Sequence, residues 1–129
     1  MRLADIRFST RGRVVIARLV GELDMSNAAD VGETLAEGTP NEMLALVLDL
    51  SELDYLDSAG IQLLYRLRGN LRIRGQKLQI VIPATSTAHD ALRLAGVSTF
   101  LDVVDGVEQA LVALRRDCSD DEVPSPDSA

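Results

Sequence analysis

Ser58 stands in the run Leu56, Asp57, Ser58, Ala59, Gly60, between an apolar stretch of strand length and a stretch with helical apolar spacing. A serine on a strand-to-helix turn is the setting of a hydrolytic nucleophile. A nucleophile elbow, however, requires glycine two residues before the serine, and Leu56 occupies that place. His89 is the only histidine and thus the only imidazole base, and it falls at the start of a later helix, where a surface histidine is the ordinary reading. An aspartic protease would need Asp, then Ser or Thr, then Gly directly, whereas Ala59 intervenes. A phosphoacceptor receiver domain pairs acids at one strand end with a lysine near the last strand; here the only lysine, Lys77, opens the fourth strand and Asp49 lies inside the third. No GxxxxGK[ST] or GxGxxG string is present to cradle a nucleotide. Asp54 and Asp57 are two hard ligands without a third, so no metal site is expected, and no cofactor is implied.

What remains is the turn itself. A helix beginning at Ser58 presents backbone N–H groups without acceptors and the positive end of the macrodipole. At 100° per residue Ser58 falls about 160° from Gly60, on the face opposite a leucine stripe and together with Gln62, Tyr65, Gly69 and Arg72. Its hydroxyl is therefore expected at the solvent surface. A phosphate added there gains from the helix start, while its two negative charges repel Asp57, Asp54 and any acidic partner. The plainer alternative is that Asp57 or Ser58 serves only as an N-cap.

The elements that must position this turn follow from periodicity. Residues 3–9 and 13–21 are strand-like runs split by a short Gly-containing connection, which reads as a hairpin with the first strand at an edge. From Ser26, taken as N-cap, Ala28, Val31 and Leu35 recur at helical spacing until Gly38, Thr39 and Pro40 stop the helix. Met43 to Leu50 is an apolar run expected to be a strand covered on both faces. A second helix from Ser58 carries the stripe Gly60, Leu64, Leu67 and Leu71, with Leu63 at its shoulder, and ends at Gly75. Leu78, Ile80 and Ile82 alternate as a strand closed by Pro83. Thr85, Ser86 or Thr87 caps a third helix with Ala88, Ala91, Leu92 and Ala95 inward and Gly96 as its stop. Thr99 to Val104 is a fifth strand, and Val107, Ala110, Leu111 and Leu114 face the core from a last helix. The order ββαβαβαβα implies an α/β fold: a single domain over 1–116 with a mixed β-sheet and right-handed helical crossovers.

Composition sets the outer bounds. The 129 residues include 47% hydrophobic and 26% charged, ordinary for one globular domain. Thirteen basic residues against twenty acidic ones give a formal charge of -7, of which residues 117–129 carry five acids and no base. An acidic surface repels phosphate backbones and anionic headgroups, so direct nucleic-acid binding is not expected. The tail, with Pro124 and Pro126 and no apolar periodicity, reads as a disordered acidic extension. Cys118, the only cysteine, excludes an intramolecular disulfide or a CxxC pair. No apolar run approaches membrane-spanning length and the N-terminus lacks a signal-peptide core, so a cytoplasmic location without membrane insertion is expected.

Over residues 3–116 the sequence resembles the STAS domain of the bacterial anti-sigma factor antagonist family. The resemblance rests on GELDMSNA (21–28), LVLDLSELDYLDSAGIQLL (46–64), GQKLQIVIP (75–83) and LRLAGVSTFLDVVDGVEQAL (92–111). It implies a STAS-like fold and a non-catalytic protein in which Ser58 accepts phosphate from a partner that is both anti-sigma factor and serine kinase. It further implies that the unphosphorylated form binds that partner and frees a sigma factor, and that a serine phosphatase resets the switch. Asp24 of the GELD loop would lie near the same surface, and Asp57, Ser58, Ala59, Gly60, Gln62 and Tyr65 would take part in binding. Two departures stand out: Ala59 replaces a second serine found in many members, and Ala95, Gly96, Val97 replace T-G-L. The alternative is a STAS regulatory subunit of a membrane transport system for lipids or anions, which need not keep a phosphorylatable serine; the intact DSAG turn favours the antagonist.

Overall fold

The computed structural model describes residues 4–94 and 102–117. The order is β1 (Asp5–Arg11), β2 (Val14–Leu23), α1 (Ala28–Glu37), β3 (Ala45–Leu56), α2 (Ser58–Ile73), β4 (Lys77–Val81), α3 (Thr87–Leu94), β5 (Val103–Val104) and α4 (Val107–Asp117). One sheet holds the strands in the order β1-β2-β3-β4-β5. β1 pairs antiparallel with β2 and every later pair is parallel, the mixed sheet that a hairpin followed by helical crossovers dictates.

Because side chains alternate across a strand, Leu46, Leu48 and Leu50 of β3 point to one face and Ala45, Val47 and Asp49 to the other. The first set packs with Leu35 of α1, Leu64, Leu67 and Leu71 of α2, and Leu92 of α3 in the larger core. Ala45 and Val47 of the second set pack with Val14, Val81, Ala110, Leu111 and Leu114, so α4 covers the opposite face. The leucine stripe of α2 is buried as its spacing requires. Each such side chain contributes roughly 1.5–3 kcal/mol on leaving water. Asp49, only 3% exposed, is held at 3.3 Å by the Arg18 guanidinium and accepts from the Ser51 N–H, which explains an acid inside an apolar strand.

Several details differ from the sequence expectations, among them the end of β4, which stops at Val81, short of Ile82. The hairpin connection is only Gly12 and Arg13, because β1 continues to Arg11. β3 does not stop at Leu50 but runs to Leu56, bringing the sheet up to the Ser58 turn. Its register with β2 slips at Arg18/Val20 and at Gly21/Glu22, the second beside a glycine with φ 116°. Ser26 is not the N-cap of α1: Asn27 holds that position, and the Ser26 hydroxyl turns to Asp24.

Ser86 is the residue that caps α3, its hydroxyl accepting from the Ala88 N–H. The expectations for Ala95, Gly96, Val97, the first part of the fifth strand and the tail from Cys118 onward lie outside the described residues. α4 extends to Asp117, one residue past the boundary expected for the domain. Among the described residues no helix is long and apolar enough to cross a membrane.

Candidate functional site

β2 and β3 end side by side at the paired residues Leu23 and Leu56, so the loops that follow them emerge as neighbours. The Asp57 N–H donates to the Leu23 carbonyl at 3.3 Å, which fixes the turn against the end of β2. Asp57 has extended backbone angles, as an N-cap requires, and its Oδ1 accepts from the Gly60 N–H at 3.0 Å. Its Oδ2 accepts from the Met25 N–H at 3.3 Å. One carboxylate therefore both starts α2 and ties the Asp24 loop to it.

The Asp24 loop has its own scaffold. Oδ1 of Asp24 accepts from the Ser26 N–H at 2.9 Å and from the Ser26 hydroxyl. The hydroxyl, and after it the backbone N–H, hold the Asp24 carboxyl below the usual carboxylate range by stabilising its anion. Asn27, 1% exposed, braces the loop from inside: its Oδ1 accepts from the Asp24 N–H at 3.0 Å, and its Nδ2 donates to the Glu22 carbonyl at 2.7 Å. Sequence reasoning did not single out Asn27. The available signal was an Asn directly before a helix and three positions after Asp24, a residue type common at helix starts.

Of the expected site residues, Ser58, Gln62 and Tyr65 are exposed on α2 and lie within about 60° of one another in projection. Asp57 and Ala59 are half-buried. Gly60 is not on this surface. A Cβ built there would lie 2.5 Å from Leu56 Cδ1 and 3.0 Å from the Leu23 carbonyl oxygen, so the residue acts by letting α2 sit on the strand ends. Met25, 78% exposed at the tip of the neighbouring loop, was not anticipated and adds an apolar side chain beside Asp57.

The Ser58 hydroxyl has no hydrogen-bond partner among the described residues, and nothing there links it to His89. The intrahelical ladder begins with Ile61 N–H to the Asp57 carbonyl at 3.0 Å. The N–H groups of Ser58 and Ala59 thus precede the ladder and point out of the helix start. The chain from residue 19 to residue 65 contains ten acids and no Lys or Arg, so Asp24, Asp54 and Asp57 give this end of the molecule a negative surface. No group of three or more His, Cys, Asp or Glu among the described residues is disposed to hold a metal. The arrangement offers an accessible hydroxyl at a dipole end, on a rigid two-loop platform.

Replacing Asp57 by Ala removes both acceptor contacts at once. The expected loss in unfolding free energy is about 1–2 kcal/mol, with Asp57→Asn losing less because an acceptor oxygen remains. Urea titrations measure both, and equal stabilities for Asp57→Ala and the parent chain would show that the clamp contributes nothing.

The family model described as Mlab, STAS domain, matches residues 6–120. The anti-sigma-F factor antagonist RsfB of Mycobacterium tuberculosis is 26% identical over 103 residues, covering 79% of this chain and 82% of that protein. A crystal structure of an anti-sigma factor antagonist from Mycobacterium paratuberculosis superposes with a TM-score of 0.77 at 22% identity, over 87% of this chain and 94% of that one. The phosphorylated form of the Bacillus cell fate determinant SpoIIAA gives a TM-score of 0.59 at 17% identity, over 86% of this chain and 100% of that one. With a five-stranded mixed sheet, the DSAG turn at the end of its third strand, and a family match that spans the described fold, the chain belongs to the STAS domain family.

Proposed function

We propose that this protein is a cytoplasmic, non-catalytic anti-sigma factor antagonist switched by phosphorylation of Ser58. The observation that carries the reading is the exposed Ser58 hydroxyl at the start of α2, locked through Asp57 to the Asp24 loop. The RsfB relationship supports the same reading, and the fold shared with a protein that exists in a phosphorylated form is compatible with it. The unphosphorylated surface of Met25, Asp57, Ser58, Gln62 and Tyr65 binds an anti-sigma factor with serine kinase activity, and the sigma factor is freed. That partner transfers the γ-phosphoryl group of ATP to Ser58 Oγ, the hydroxyl proton leaving to a base of the kinase and ADP departing. A serine phosphatase restores the hydroxyl. The transport-subunit reading does not require an accessible serine in the turn, and this chain keeps one.

The test is incubation with candidate anti-sigma kinases and ATP, followed by mass mapping of the modified residue. Ser58→Ala is expected to fold, to cost no more than ~1 kcal/mol because Asp57 still caps the helix, and to bind the partner without release by ATP. Phosphate uptake by Ser58→Ala at the stoichiometry of the parent chain would overturn the site assignment. Binding to a transporter subunit with no uptake by the parent chain would favour the alternative.

A further inference from the structure

The end of the molecule opposite Ser58 has the reverse charge. Between residues 58 and 89 the chain holds five basic residues, Arg66, Arg68, Arg72, Arg74 and Lys77, and no acid. Arg74 donates to the Thr39 carbonyl and to Asn41. Arg68, Arg72 and Lys77 line a depression of about 350 Å³ with Gln76 and Asp102, and among the described residues none of the three cations has an ion-pair partner. Gln76, 2% exposed, lines the same depression and its side-chain oxygen accepts no hydrogen bond. Three cations beside an unused acceptor suit a peptide, which brings carboxylates together with N–H or O–H donors, better than a bare anion.

We propose that the occupant is the chain's own acidic extension beyond Asp117. Its Asp120, Asp121, Glu122 and Asp127 carry charge of the required sign, and no base accompanies them. Topology delivers the extension to the correct end. α4 starts beyond the C-terminal end of β5 and runs back over β4 and β3, its apolar face sharing one cluster with residues from both ends of these strands, Val14 and Ala45 at the starts and Val81 at an end. The last turn of α4 therefore lies at the N-terminal ends of the parallel strands, where Gly75 closes α2 and Lys77 opens β4. At ~3.3–3.6 Å per residue, Asp120 to Glu122 lie within about 10–18 Å of the helix end, enough to round the end of the sheet. Each exposed pair is weak and screened by salt, and the tether supplies an effective concentration in the millimolar range that holds them together. Docking covers the basic end and leaves the acidic Ser58 end exposed. This inference is independent of the phosphorylation reading.

The experiment uses the full chain with Cys118→Ser and Ser125→Cys, so that a nitroxide label sits far along the extension. At ~20 mM salt, paramagnetic broadening of the Arg72 and Lys77 amides is expected to exceed that of Asp24 and Ser58 about fivefold. The excess should vanish at ~0.5 M salt, and also in the full chain carrying Asp120→Asn, Asp121→Asn and Glu122→Gln. Equal broadening at both ends, or broadening that survives salt, overturns the proposal. So does broadening confined to Arg115 and Arg116, which would mean collapse onto the extension's own helix. Broadening of isotope-labelled chains by a separate spin-labelled population would assign the cations to a second copy instead.

Discussion

Gly60→Val is expected to lower the unfolding free energy by about 3 kcal/mol. Gly60 lies where α2 crosses the ends of β2 and β3, and its backbone is in ordinary helical geometry, so the requirement is space. The first added carbon would meet Leu56 Cδ1 at 2.5 Å, which can rotate away, and the Leu23 carbonyl oxygen at 3.0 Å, which belongs to the backbone. That carbonyl also accepts the Asp57 N–H. A branched side chain thus pushes α2 off the sheet and lengthens the Asp57 bond to the Gly60 N–H together with the Asp57 bond to Met25. Gly60→Ala is a graded control: it gains roughly 1 kcal/mol in helix propensity and loses a similar amount to crowding, leaving a small net change. Urea denaturation of the three proteins measures the series. A Gly60→Val protein as stable as the parent would mean that α2 can shift without cost and that the platform is soft.

The same glycine shows what could be read from the sequence. Its place in the stripe with Leu64, Leu67 and Leu71 follows from helical period alone, and those positions are buried. Period placed Gly60 on the packed face but could not show how tightly it is packed, because that depends on how closely two strand ends approach the helix. β3 was legible only to Leu50, since the following Ser51, Glu52, Asp54 and Tyr55 break the apolar run. Those residues remain in the strand because the sheet continues beside β2, and the register slips at Val20 and Glu22 erase the period-two pattern that would have revealed it. The start of α1 was ambiguous for a chemical reason: Asp24, Ser26 and Asn27 are all capping residues, and local hydrogen bonds turn Ser26 to Asp24, leaving Asn27 at the cap position without a side-chain cap bond. The nearness of Asp24 to Ser58 came from family resemblance, as no local spacing relates residues on separate loops. The structure joins their two segments through the single carboxylate of Asp57, which accepts from Met25 and Gly60.

Phosphorylation of Ser58, on the proposed reading, is expected to weaken partner binding by a hundredfold or more without refolding the domain. Ser58 points to solvent while Leu64, Leu67 and Leu71 face the core, so a phosphate has room in the free protein. At the start of α2 it gains ~0.3–1 kcal/mol from the helix dipole. Repulsion from the neighbouring Asp57 and Asp54 is of similar size at an exposed site, and the two effects nearly cancel. The balance changes in the complex, where a dianion must be desolvated against a surface that had accepted a neutral hydroxyl. No Lys or Arg of residues 19–65 is available to compensate it. A penalty of several kcal/mol follows for a buried charge without a partner, and ~2.8 kcal/mol already corresponds to a hundredfold. Calorimetry on modified and unmodified protein measures the affinity ratio, and a ratio below tenfold would contradict the switch. Backbone NMR separates local from global mechanisms. Shift changes should cluster in residues 54–65 and, through the Asp57 bond to Met25, in the Asp24 loop. Changes spread along the leucine stripe and α4 would mean that the phosphate moves the core, and the charge-and-bulk mechanism would have to give way to a conformational one.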